Sequence, residues 1–162
     1  MDSLKHLAPV SPSYATLPVE HAFDWDRASA ELDHGEWYLV VFRSIRRDDA
    51  DEARLTVLDD TAHAEAAAAP GFVHYFKGPT ADDGSCLSFC LWDSRAAARH
   101  AAGLPAHRDA ITVLDEMYAS YTLEFRRVSR EAPDAPLRFE PYDRHPAPGP
   151  ALVAVDPSFA TP

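Results

Sequence analysis

The sequence predicts an α+β fold of ferredoxin-like type: a βαββαβ antiparallel sheet with the helices on one face. Three observations carry the prediction. Apolar periodicity read along the chain gives strands and helices in the order β-α-β-β-α-β. The third strand, Ser85 to Trp92, alternates cleanly, with Leu87, Phe89 and Leu91 on one face and Cys86, Ser88, Cys90 and Trp92 on the other. Prolines are rare in the middle of the chain: of 14, eight lie after residue 132 and three before residue 20. Since proline interrupts helices and ladders, the chain divides into an N-terminal arm (1–36), a folded unit (37–130) and a Pro-rich tail (131–162).

The first strand is the run from Trp37 to Ser44, rich in β-branched and aromatic side chains. The acidic residues from Asp48 to Asp51 supply an N-cap and first-turn negative charge for a helix. Leu55, Leu58, Ala62, Ala66 and Ala69 recur at spacings of three and four, so that helix is amphipathic, and Pro70-Gly71 stops it. Gly71 to Gly78 reads as the second strand, and the loop from Pro79 to Gly84 has turn composition. After the third strand, Asp93 or Ser94 caps an Ala/Arg helix that Gly103 ends, and Pro105 suits the first turn of the next. Ala106, Ala110, Val113, Leu114 and Met117 continue the apolar stripe. Tyr118 to Val128 is the last strand, with Tyr121, Leu123 and Phe125 opposite Thr122, Glu124 and Arg126. The tail is read as loose and extended, with Leu137, Phe139 and Tyr142 as its packing residues.

The 162 residues carry 15 Lys+Arg against 26 Asp+Glu, a net charge of −11. That argues against nucleic acid or an anionic membrane surface as a partner, since both require clustered positive charge. No apolar run approaches the ~18 residues of a membrane span, and the start lacks a signal-peptide layout, so a cytoplasmic location is expected. Cys86 and Cys90 sit four strand residues apart, roughly 13 Å, too far to form a disulfide with each other. Asn and Gln are absent. Helices cover one sheet face only, yet both faces of the third strand are apolar or weakly polar. A second copy of the sheet is the simplest cover, so a homodimer through the sheet face is expected.

The run Cys86-Leu87-Ser88-Phe89-Cys90-Leu91-Trp92-Asp93-Ser94, followed by the Ala/Arg helix and Pro105-Ala106-His107, resembles the antibiotic-biosynthesis-monooxygenase-like family of dimeric α+β barrels. The resemblance covers residues 37 to 128. It implies two sheets packed face to face and a pocket between sheet and helices in each subunit. It also implies functions that include cofactor-independent oxygenation of polyketide anthrones or quinols and, in one branch, heme degradation. The heme-degrading pattern wants a Trp, an iron-binding His and an Asn. Ala101 and Ile111 stand at the first two positions here, and no Asn exists. No cofactor and no metal are therefore expected.

His74, in mid-strand, and His107, opening a helix after Pro105, are the candidate bases, because imidazole titrates near neutrality. Each has a structural alternative: a hydrogen-bonded core histidine for His74, a packing or capping feature for His107. His63, one turn after Asp59 and Asp60, has the geometry of a helix-face metal pair or of solvated neighbours. Cys86 and Cys90 read as small buried hydrophobes unless a cation activates them. Tyr38, Trp92 and Cys90 are candidate substrate contacts, the aromatics shaping a flat pocket or simply filling the core. Arg43, in mid-sheet, requires an anion, either Glu124 on the last strand or a substrate carboxylate or enolate. Two functions follow. One is a small cofactor-independent monooxygenase-like enzyme acting on an aromatic or polyketide-type substrate. The other is a non-catalytic dimeric module that binds a small aromatic or apolar ligand, or a partner.

Overall fold

The structure, a computed structural model, describes residues 3–28 and 32–142. Two 3-10 turns, Ser3–His6 and Tyr14–Thr16, precede the short helices α1 (Val19–Ala22) and α2 (Trp25–Ala28). Strand β1 (Gly35–Arg46), helix α3 (Glu52–Ala67) and strands β2 (Phe72–Phe76) and β3 (Ser85–Trp92) follow. Helices α4 (Arg95–Ala102), α5 (Pro105–Ile111) and α6 (Leu114–Met117) lead into β4 (Tyr118–Arg130) and β5 (Arg138–Pro141). The sheet order is β2-β3-β1-β4-β5, with every neighbouring pair antiparallel. This is the expected ferredoxin-like α+β fold with one strand added at the β4 edge.

Local chemistry sets the element ends. The Asp51 carboxylate accepts from Arg54 N at 3.0 Å, and Ser94 Oγ accepts from Ala97 N at 3.2 Å, so α3 and α4 start on side-chain caps. Gly71 turns the chain from α3 into β2 at φ +82°, where an added Cβ would lie 2.5 Å from the Ala97 methyl.

Strand alternation divides the sheet into two faces. Tyr38, Val40, Cys90, Trp92 and Phe125 face the helices and pack with Ala66, Ala98 and Ala101. Leu39, Val41, Leu87, Phe89, Leu91 and Val128 face the other way. This second face is covered by the chain's own N-terminal arm, not left for a second copy. Leu4, Leu7, Tyr14, Ala15, Val19, Ala22, Phe23, Trp25 and Leu32 complete one buried cluster with the six strand residues. The homodimer expected through the sheet face therefore finds that face already filled.

The tail also joins the fold. β5 pairs Arg138 to Pro141 with β4, and Leu137 and Phe139 pack against the arm cluster. Pro141 is tolerated because β5 is an edge strand. The Tyr142 ring meets Tyr38 edge-on at 4.8 Å and lies under the guanidinium groups of Arg95 and Arg127, at 5.3 and 5.5 Å. Residues 143–162 of the expected tail lie outside the described residues. No helix among the described residues is long and apolar enough to cross a membrane.

Candidate functional site

A cavity of about 170 Å³ lies between the helix face of the sheet and helices α3 and α5. Its floor follows from period-2 alternation: Phe42 and Ser44 from β1, Cys86, Ser88 and Cys90 from β3, Tyr75 from β2 and Tyr121 from β4. Its roof follows from helical spacing, with Leu55, Leu58, Asp59, Ala62, His63 and Ala66 from α3, and His107, Ala110 and Ile111 from α5. The walls are mostly apolar with a few convergent polar groups, the usual character of a small-ligand site.

His107 enters the cavity from the first turn of α5. That helix has no side-chain cap of its own. Glu65 supplies one from α3, its Oε2 accepting from Ala106 N at 2.9 Å, which fixes the turn bearing His107. Burial holds the His107 imidazole below its ordinary pKa, the nearby Glu65 charge opposing, so the ring is neutral at physiological pH.

At the β2 side, Tyr75 Oη donates to Asp59 Oδ1 at 2.7 Å, and Asp59 Oδ2 lies 2.6 Å from Lys77 Nζ. The His63 ring meets Tyr75 edge-on at 4.7 Å. Asp59 and His63 thus both contact Tyr75. No cluster of three or more metal-ligating side chains occurs among the described residues. Burial, reinforced by the Asp59 charge, pushes the Tyr75 hydroxyl up; burial does the same for Tyr121 and for Tyr118. The Cys90 thiol is pushed up to about 12 by burial and then by Asp59. Beside the Asp59–Lys77 ion pair, the cavity therefore presents a neutral imidazole at His107, neutral hydroxyls at Tyr75, Tyr118 and Tyr121, and a neutral thiol at Cys90, which is no nucleophile.

Of the residues singled out in the sequence, the fold brings His107, Cys90, Cys86 and His63 to this cavity and leaves His74, Arg43, Tyr38 and Trp92 elsewhere. His74 lies on the arm face because β2 carries an irregularity between Phe72 and His74. Phe72 stays on the helix face against Trp92 at 5.4 Å, while His74 packs beside Phe89 at 6.2 Å. Phe72 and His74, two residues apart in one strand, therefore lie on opposite faces. Burial, then His63 and Lys5, holds His74 below its ordinary pKa. Arg43 also points to the arm: its Nε donates to Glu124, Nη1 to Ala15 O at 2.5 Å and Nη2 to Leu17 O at 2.7 Å. Its anion is Glu124, and its remaining donors hold the arm instead of a substrate. Tyr38 and Trp92 are 2% and 3% exposed and belong to the packed end of the helix face.

The sequence reading missed Tyr75 and Tyr121 as wall residues. Tyr121 shares the helix face with Leu123 and Phe125, a signal visible in the alternation. Tyr75 was hidden by the β2 irregularity, which shifts the face of every residue after it.

A family model described as PB2B2.08-like matches residues 1–140. No curated protein matches the chain. Among solved structures, protein SO0527 from Shewanella oneidensis is similar at TM-score 0.50 and 15% identity, over 57% of this chain and 90% of that one. PA3566 from Pseudomonas aeruginosa is similar at TM-score 0.50 and 13% identity, over 61% and 98%. SnoaB, a cofactor-independent oxygenase from Streptomyces nogalater, matches at TM-score 0.45 and 22% identity, over 59% and 93%. These likenesses, at identities this low, are ones of fold.

Proposed function

The chain belongs to the PB2B2.08-like family, and we propose that it is a small monooxygenase-like enzyme whose site for an aromatic or polyketide-type ligand is the cavity between sheet and helices. The observation that carries this reading is the half-buried, neutral His107 imidazole in a mostly apolar cavity walled by tyrosine hydroxyls. A neutral imidazole is the competent form of a general base. In the proposed reaction His107 takes a proton from a methylene activated by flanking aromatic rings. The carbanion passes its electrons to dioxygen, the named oxidant. One oxygen atom becomes the product carbonyl and the other leaves as water, so CH2 + O2 gives C=O + H2O. Tyr121, which lines the cavity, is the hydrogen-bond donor proposed for the ligand's oxygens, since Tyr75 already donates to Asp59.

Oxygen uptake with an anthrone-type substrate tests this. His107→Ala should lower the rate by about 10²- to 10⁴-fold, the usual contribution of a positioned base. An unchanged rate removes His107 from the chemistry. Since burial lowers the imidazole pKa, activity should persist below pH 6.5 and fall only as the ring finally protonates.

The cavity's mostly apolar lining favours a second reading, a non-catalytic module that binds the same ligand class. Saturable binding of the aromatic ligand with no oxygen consumption supports that reading over the first.

A further inference from the structure

The arm raises a question of its own, because it fills the face through which sheets of this shape would meet. Nine of the fifteen residues in the larger buried cluster precede β1, and six come from the strands. Three physically different anchors hold the arm there. The first is apolar: the Phe23 ring packs edge-on against Phe76 at 4.8 Å and Phe89 at 5.4 Å. The second is a pair of charge-assisted hydrogen bonds: Arg43 donates to the carbonyls of Ala15 and Leu17. The third enters the sheet itself. Tyr14 Oη accepts from Leu87 N at 3.4 Å and donates to Pro79 O at 2.7 Å, bridging the chain after β2 to β3 where they part. Gly78 leaves the room, since a Cβ there would stand 2.4 Å from Tyr14 Oη and 2.0 Å from Leu87 O.

We propose that the arm is a built-in substitute for a second subunit, and that the chain is a monomer. A stable dimer needs roughly 800 Å² per partner with an apolar centre. Among the described residues the exposed large apolar side chains are Val10, Ile45 and Val57, on three separate segments. The edges are blunted too: β2 and β5 are five and four residues long, and β5 carries charge and a proline. A net charge of −11 adds repulsion between copies.

Two measurements on the full chain decide this. Light scattering from about 5 to 200 µM should report 17.9 kDa throughout. Hydrogen exchange should show protection at Val10 and Asp24, whose amides bond to Ala22 O and Ala8 O at 3.1 Å within the docked arm. A mass of twice 17.9 kDa overturns the proposal. A monomer with unprotected arm amides overturns it equally, because something else would then cover the face. Arg43→Gln should speed exchange in the arm by about tenfold or more, as hydrogen bonds from a charged group are lost. Unchanged exchange in that variant overturns Arg43 as one of the three anchors of the arm.

Discussion

Replacing Phe23 by alanine asks whether the arm is part of the core or an accessory laid over it. Phe23 is 3% exposed, and its ring meets Tyr14, Trp25, Phe76 and Phe89 at 5.7, 5.8, 4.8 and 5.4 Å. Removing a buried aromatic ring withdraws on the order of 150 Å² from the core. At about 25 cal/mol per Å², that is about 4 kcal/mol. Measured Phe→Ala changes in cores span about 3–5 kcal/mol, so the two routes agree. A chain of this size should then lose about 8–16 °C in Tm. Urea unfolding followed by circular dichroism and tryptophan fluorescence reads the change, with Trp25 in the arm cluster and Trp92 on the helix face as separate reporters. The variant should unfold in one transition seen alike by both. A loss under about 1 kcal/mol would refute the reasoning, because the folded unit would then owe little to residues before β1.

Three further outcomes are expected. Burial holds His74 and His107 below the ordinary 6.5, so between pH 6.5 and their folded values the unfolded chain binds more protons. Stability is therefore full above about pH 6.5 and declines as pH falls; His107→Gln should shallow that decline in the urea midpoint, and a superimposable profile would contradict the assignment. Gly78→Ala should cost about 3 kcal/mol, the upper end of overpacking, because Leu87 O is backbone and cannot swing aside; thermal unfolding indistinguishable from wild type would show that the strands separate freely. With its thiol pushed up to about 12, Cys90 is about one part in 10⁴ thiolate at pH 8. Iodoacetamide should label it only after denaturation, and mass spectrometry showing Cys90 alkylated first in the native protein would argue otherwise.

Much of the site's frame was legible because antiparallel strands with one residue type per face write their pleat into the sequence. Leu87, Phe89 and Leu91 against Cys86, Ser88 and Cys90 gave both faces of β3, and Tyr121 to Phe125 did so for β4. Asp51, Ser94 and Gly103 marked helix ends through chemistry local to a single turn. The β2 irregularity was not legible. An extra residue changes no composition, yet it sent His74 to the arm face and Tyr75 to the cavity. β5 was hidden by Pro136 and Pro141, which an edge strand accepts and a central one would not.

By itself the sequence determined the βαββαβ order of the central elements, the two faces of the long strands and the presence of His107 at a helix start, all set by neighbours within a few residues. Only the tertiary structure decided what lies on the second sheet face. The arm's helices are four residues each, too short to show a period, and its apolar side chains acquire meaning only where they meet Leu39, Phe89 and Val128. The same holds for Arg43. A mid-sheet cation announces that it needs oxygen atoms around it, but whether they belong to a ligand or to Glu124, Ala15 and Leu17 depends on residues brought together from distant parts of the chain.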